Sequence, residues 1–120
     1  MLKHLFKKAV WIGTGNKNDK KNMLPPEIFL KEFRTNRPVK EVTLSVSAMG
    51  IYQVKVDDEL MSDVYFAPGH GEYRKQIRVH SYNVTHLFRK ESKNHLIEIT
   101  VANGWYLGQI GRSNNNYGNQ

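Results

Sequence analysis

An all-β chain built from antiparallel strands is predicted by three observations in this 120-residue sequence. Val42, Leu44, Val46 and Ala48 alternate with Thr43, Ser45 and Ser47, the period of a strand with one buried face. Ile97, Ile99 and Val101 repeat that pattern against Glu98 and Thr100. Between the two runs, Pro68-Gly69 and Asn83 punctuate the chain where strands must reverse or yield to a short helical turn.

The elements follow in order. Residues 1–22 read as a basic flexible leader and loop, because Gly13 to Asn22 is rich in turn-formers and charge and has no periodicity. Its two glycines fit no phosphate-loop spacing. After Pro25-Pro26, the segment Ile28–Arg34 is ambiguous. Phe29 and Phe33 suit a helix with proline at its start, and Phe29, Lys31 and Phe33 equally suit an edge strand. Asn36-Arg37-Pro38 ends it, and a strand is expected over Lys40–Ala48. Gly50 marks a bulge or a tight passage between sheets, and Ile51–Val56 follows with Tyr52, Val54 and Val56 on one face.

Asp57-Asp58-Glu59 forms the polar tip of a hairpin into Leu60-Met61. Ala67 to Gly71 is a loop, and Ile77, Val79 and Ser81 alternate as a further strand. Asn83 caps one helical turn over Val84–Phe88, with Leu87 and Phe88 tucked inward. Asn83-Val84-Thr85 also matches a glycosylation sequon, a pattern short enough to arise by chance. A charged loop over Arg89–Asn94 leads into the Leu96–Val101 strand, and residues 112–120 form a polar tail expected to be poorly ordered. Residues 23–111 therefore make up one antiparallel β unit.

Composition narrows the function. The chain has no cysteine, which excludes disulfides, thiolate metal sites and a thiol nucleophile. The first ten residues lack the continuous apolar run of a signal peptide, and a cytoplasmic location is expected. The net charge of +7 resides in the leader: residues 1–40 hold ten Lys and Arg against three acids, and from Glu41 onward eight basic residues face eight acidic ones. The β-rich body is neutral, which argues against a phosphate-tracking face across its sheets. His4, His70, His80, His86 and His95 show no ligand spacing, and no serine sits in a nucleophile-elbow setting, so neither a metal nor a cofactor is expected. Core packing is the first reading for Tyr52, Tyr65, Phe66, Tyr82 and Tyr106. Trp105, following Asn103-Gly104 at a strand end, is the exception that could line a rim.

Four runs carry a family resemblance: Ser47-Ala-Met-Gly-Ile-Tyr52, Asp63-Val-Tyr-Phe-Ala-Pro-Gly69 with Tyr73, Ser81-Tyr-Asn-Val-Thr-His-Leu87, and Asn103-Gly-Trp-Tyr-Leu-Gly108. In order and spacing they resemble the N-terminal β-sandwich module of bacterial α-L-rhamnosidases. Trp11-Ile12 and Phe29–Phe33 resemble the lead-in of the same module, which tips the ambiguous segment toward strand.

The resemblance implies a lectin-like, galactose-binding-like jelly-roll sandwich that accompanies a separate catalytic domain. It also implies a partner, either a rhamnose-containing glycan or that catalytic domain. Carbohydrate is expected at His70, Tyr73, Asn103, Trp105 and Tyr106. No catalytic residue is assigned to this chain, and Asp57, Asp58, Glu59 and Asp63 read as hairpin solvation.

The sequence departs from the family at four places. Asp57-Asp58 replaces the usual Asn-Gly at the hairpin tip, which predicts a looser turn. His70 stands where tryptophan is common. Met49-Gly50, where some relatives hold calcium, offers no side-chain oxygen, so no calcium is expected there. The family's closing strand has no counterpart after the Gly108–Gly118 loop, which predicts an open sheet edge and self-association, the alternative being that Phe29–Phe33 or the leader takes the empty edge. The alternative function is an independent small basic β-domain that takes single-stranded nucleic acid or another polyanion, with affinity that falls steeply with salt.

Overall fold

The computed structural model describes residues 8–15, 25–88, 93–110 and 113–116. The expectations for the loop over 16–22 and for the charged residues 89–92 lie outside them. One layer is a four-stranded antiparallel sheet in the order β1-β6-β3-β4. The ambiguous segment is its edge strand, β1 (Glu27–Arg34), paired without interruption to β6 (Asn94–Ala102) from Glu27↔Val101 to Arg34↔Asn94. This register sets Phe29 opposite Ile99 and Phe33 opposite His95 on one face, which explains why strand wins over helix. Phe33 then packs on Phe88 with ring centroids 5.7 Å apart.

β3 (Ile51–Val56) lies on the other side of β6, with Val54 opposite Ile99 and Val56 opposite Ile97. Its alternation is the one expected: Tyr52, Val54 and Val56 are buried. β4 (Glu59–Leu60) returns from a hairpin whose tip residues, Asp57 and Asp58, have φ of 51° and 66°. Two successive left-handed residues are the geometry that Asn-Gly usually supplies.

Hairpin solvation does not describe Asp57, and the turn is tied rather than loose. One Asp57 carboxylate oxygen stands 2.8 Å from His95 Nδ1, and the other accepts the Leu96 N–H at 2.8 Å. The backbone N–H of Asp57 also donates to the Leu96 carbonyl at 2.9 Å. His95 is buried between the Phe33 and Phe88 rings, so its one strong polar partner holds the β3–β4 tip onto β6.

The second layer is a pair, β2 (Thr43–Val46) with β5 (His80–Asn83), in which Leu44 faces Tyr82. Both strands are shorter than their alternation suggests. Beyond Val46 the ladder gives way to a side-chain contact, in which the Ser47 hydroxyl donates to the Arg78 carbonyl at 2.6 Å. Gly50, at φ 130°, carries the chain from this layer into β3, the passage between sheets that its position predicts.

Between the layers lie Val46, Tyr52, Val54, Val56, Val84, Leu87 and Phe88, with Val42, Leu44, Ile97, Ile99 and Val101 packed around them. The Tyr52 and Tyr82 hydroxyls meet at 3.1 Å, and His80 Nδ1 lies 3.2 Å from Tyr82. Burial first, and the Tyr82 hydrogen bond second, push the Tyr52 hydroxyl above the usual tyrosine range. Asn83 behaves as a cap: its side-chain oxygen accepts from the Thr85 N–H at 3.1 Å and opens a 3-10 turn over Thr85–Phe88.

β7 (Leu107–Ile110) and β8 (Ser113–Asn116) form an antiparallel pair, so residues within the polar 112–120 stretch take a strand. Ladder bonds use backbone groups that every asparagine carries, and composition alone does not forbid them. As for the open edge, among the described residues β1 takes the place beside β6 and leaves its own outer edge as the rim of the sheet.

Candidate functional site: an aromatic rim

β6 ends where β3 begins, with Ala102 opposite Ile51, and Ala67 forms a bridge to Tyr52. Two loops therefore meet at this end of the sheet: residues 64–70, after β4, and residues 103–106, after β6. In the first, the Gly69 N–H donates to the Phe66 carbonyl at 2.8 Å and closes a tight turn. Phe66 itself has φ 57° and is 64 % exposed. A left-handed conformation is unusual for a bulky side chain, and such outliers concentrate at binding sites.

The second loop is a turn in which the Asn103 carbonyl accepts from the Tyr106 N–H at 3.0 Å. Gly104 lies at its tip with φ 50°, and a Cβ there meets Ile51 Cγ2 at 2.7 Å and the Ile51 nitrogen at 3.1 Å. The contact with backbone leaves little room to adjust. Gly104→Ala is therefore expected to cost about 1–3 kcal/mol, read as a lower urea midpoint together with a shifted Trp105 emission.

The rim brings together Phe66, His70 and Trp105. The Trp105 ring centroid is 6.0 Å from that of Phe66 and 6.3 Å from that of His70, edge-on in both cases. Three rings held by two loops present an apolar surface with an imidazole at its side. The flat faces of such rings suit the C–H groups of a sugar better than they suit an anion.

The five residues expected at this site do not all gather there. His70 and Trp105 do. Tyr73 instead meets Tyr106 edge-on at 5.2 Å. Tyr106 is only 5 % exposed and packs at the base of the loop. Asn103 shapes the turn through its carbonyl.

Phe66 and its neighbour Tyr65, which is 76 % exposed, were absent from the expected set. Their aromatic character pointed to the core, but residues 64–66 stand outside every ladder and have no face to bury. The available signal was the Pro68-Gly69 that follows them, a turn that breaks strand alternation. Among the described residues, no three His, Asp or Glu side chains gather as a metal site.

Comparison with known families bears on this architecture. The sequence profile of the α-L-rhamnosidase N-terminal domain matches residues 37–120. The chain belongs to that family. An α-L-rhamnosidase of Formosa agariphila is 33 % identical over 110 residues, which cover 87 % of this chain and 12 % of the relative. The crystal structure of the native α-L-rhamnosidase from Aspergillus terreus superposes with a TM-score of 0.76 at 27 % identity, over 86 % of this chain and 12 % of that one. The Streptomyces avermitilis α-L-rhamnosidase complexed with L-rhamnose gives 0.67 at 27 % identity, over 73 % of this chain and 8 % of that one. The chain thus spans about an eighth of the length of the first of these relatives. The rhamnosidase N-terminal module accounts for the all-β sandwich and for the match of the four sequence runs.

Proposed function

We propose that this chain serves as the N-terminal module of an α-L-rhamnosidase and recognises rhamnose-containing carbohydrate at the Phe66–His70–Trp105 rim. The observation that carries the reading is the convergence of three rings on one exposed edge, with Phe66 held outward in a left-handed conformation. L-Rhamnose carries a methyl group in place of a hydroxymethyl, so an apolar platform suits it. The name of the whole-length relatives supports the substrate class. Hydrolysis, which needs two carboxyl groups roughly 5–9.5 Å apart across one sugar, is assigned to a separate catalytic part of the parent protein. Asp57 serves the fold instead, through His95 and Leu96.

A second reading has its own observation. Val64, Tyr65 and Phe66 are exposed in succession, a contiguous apolar patch of the kind that docks onto another domain. Titration of a Trp11→Phe background with L-rhamnose, followed by Trp105 emission, separates the two. Recognition predicts a saturable change that is lost in Phe66→Ala. No response at millimolar sugar favours docking of the same patch onto the catalytic domain.

A further inference from the structure

β1 is an edge strand of the four-stranded sheet, with Glu27, Lys31, Glu32 and Arg34 as its charged residues. Among the described residues β1 pairs only with β6, and its pairing there runs the full eight residues without a bulge. Its outward face carries Ile28 and Leu30, 59 % and 63 % exposed. No proline lies within the strand; Pro25 and Pro26 stop just before it. Natural edge strands are usually shielded by such devices, and a lone lysine is one of them. Lys31 is the only lysine in β1.

We propose that two copies of this chain associate through antiparallel pairing of β1 with β1, about a two-fold axis at Phe29. Residues that face each other across such a pair share a face of the sheet, so only registers that match like faces are allowed. With Phe29 opposite Phe29, Ile28 faces Leu30 of the second copy on the outer face. Glu27 faces Lys31 of the second copy, and by symmetry Lys31 faces Glu27. Two ion pairs, two apolar pairs and one aromatic pair result.

The neighbouring registers lose this match. Shifting the axis to Leu30 sets Ile28 against Glu32 and Glu27 against Phe33. Shifting it to Lys31 sets two lysines face to face. The lysine that guards the edge against other strands thus finds its counter-charge in this register. Glu27 also accepts from the Thr14 hydroxyl. The proposal is independent of the sugar-binding reading, because it uses the opposite edge from β4 and none of the rim residues.

Size-exclusion chromatography with light scattering, over a concentration series of the full chain, tests it. The mass is expected to rise toward that of two chains, and less so as salt is added. Lys31→Glu sets carboxylates against each other and is expected to weaken association by roughly tenfold or more. The double variant Glu27→Lys with Lys31→Glu restores the pairs in reverse and is expected to recover it. Circular dichroism confirms that each variant keeps its sheet. A monomer at every concentration, growth beyond two chains, Lys31→Glu associating like the parent, or no recovery in the folded double variant overturns the proposal.

Discussion

Leu87→Ala is expected to lower the free energy of unfolding by about 2–5 kcal/mol. Leu87 is 1 % exposed and sits in the 3-10 turn that Asn83 caps, between the two layers. Removing its side chain leaves a void that the turn is poorly placed to fill, since the Val84 carbonyl holds the Leu87 N–H at 2.9 Å. Leu44 and Ile99, which alternation alone marks for the same cost, are only partly buried and pack around the cluster. Their alanine variants should lose about half as much, on the order of 1–2 kcal/mol, because part of each side chain already meets water. Urea unfolding of the three variants checks the order. Equal losses at all three sites contradict the described core.

Asp57→Ala is the second large effect, with an expected loss of about 2–4 kcal/mol, while Asp58→Ala stays within roughly 1 kcal/mol. The asymmetry comes from what each carboxylate touches. Asp57 satisfies two groups at once, His95 Nδ1 and the Leu96 N–H, both at 2.8 Å. Without it, the buried imidazole keeps only Thr35, whose hydroxyl lies 3.4 Å from Nε2. Asp58 is exposed and occupies a left-handed turn position, with φ 66°. Asp57→Asn is the sharper comparison: an amide preserves the shape and one acceptor for the Leu96 N–H, but it removes the charge and leaves only a neutral hydrogen bond to the ring nitrogen. It should fall between the two alanine variants. Matching losses at Asp57 and Asp58 mean that the hairpin tip is held by solvation alone.

Much of the fold was legible in the sequence, for a physical reason that varies by element. Tyr52, Val54 and Val56 alternate with polar neighbours and are buried as that pattern demands, because β3 has one face on the core. Asn83 was readable as a cap because its chemistry is local. Segment Ile28–Arg34 was not decided by local rules; its strand is selected by β6, sixty-odd residues away, which offers Ile99 and His95 to Phe29 and Phe33. The Asp57–His95 contact spans 38 residues and has no local signature, so a turn-forming aspartate looked like solvation.

The rim shows the same division. Trp105 at the end of β6 was visible from the turn that precedes it, and His70 from the loop that carries it. Phe66 was hidden by its own hydrophobicity: aromatic residues near strand-like spacing point to a core, and only the tight turn to Gly69 turns this one outward. Tyr106 directly follows the half-buried Trp105 yet is itself buried, because successive positions in a tight turn face different ways.

Recognition of rhamnose at the aromatic rim is tested most directly by mapping amide chemical shifts of the labelled chain during titration with L-rhamnose. The account predicts saturable shifts confined to residues 64–70 and 103–106, abolished in Phe66→Ala and unchanged in Tyr73→Phe. Shifts centred elsewhere, or none up to millimolar sugar, contradict it.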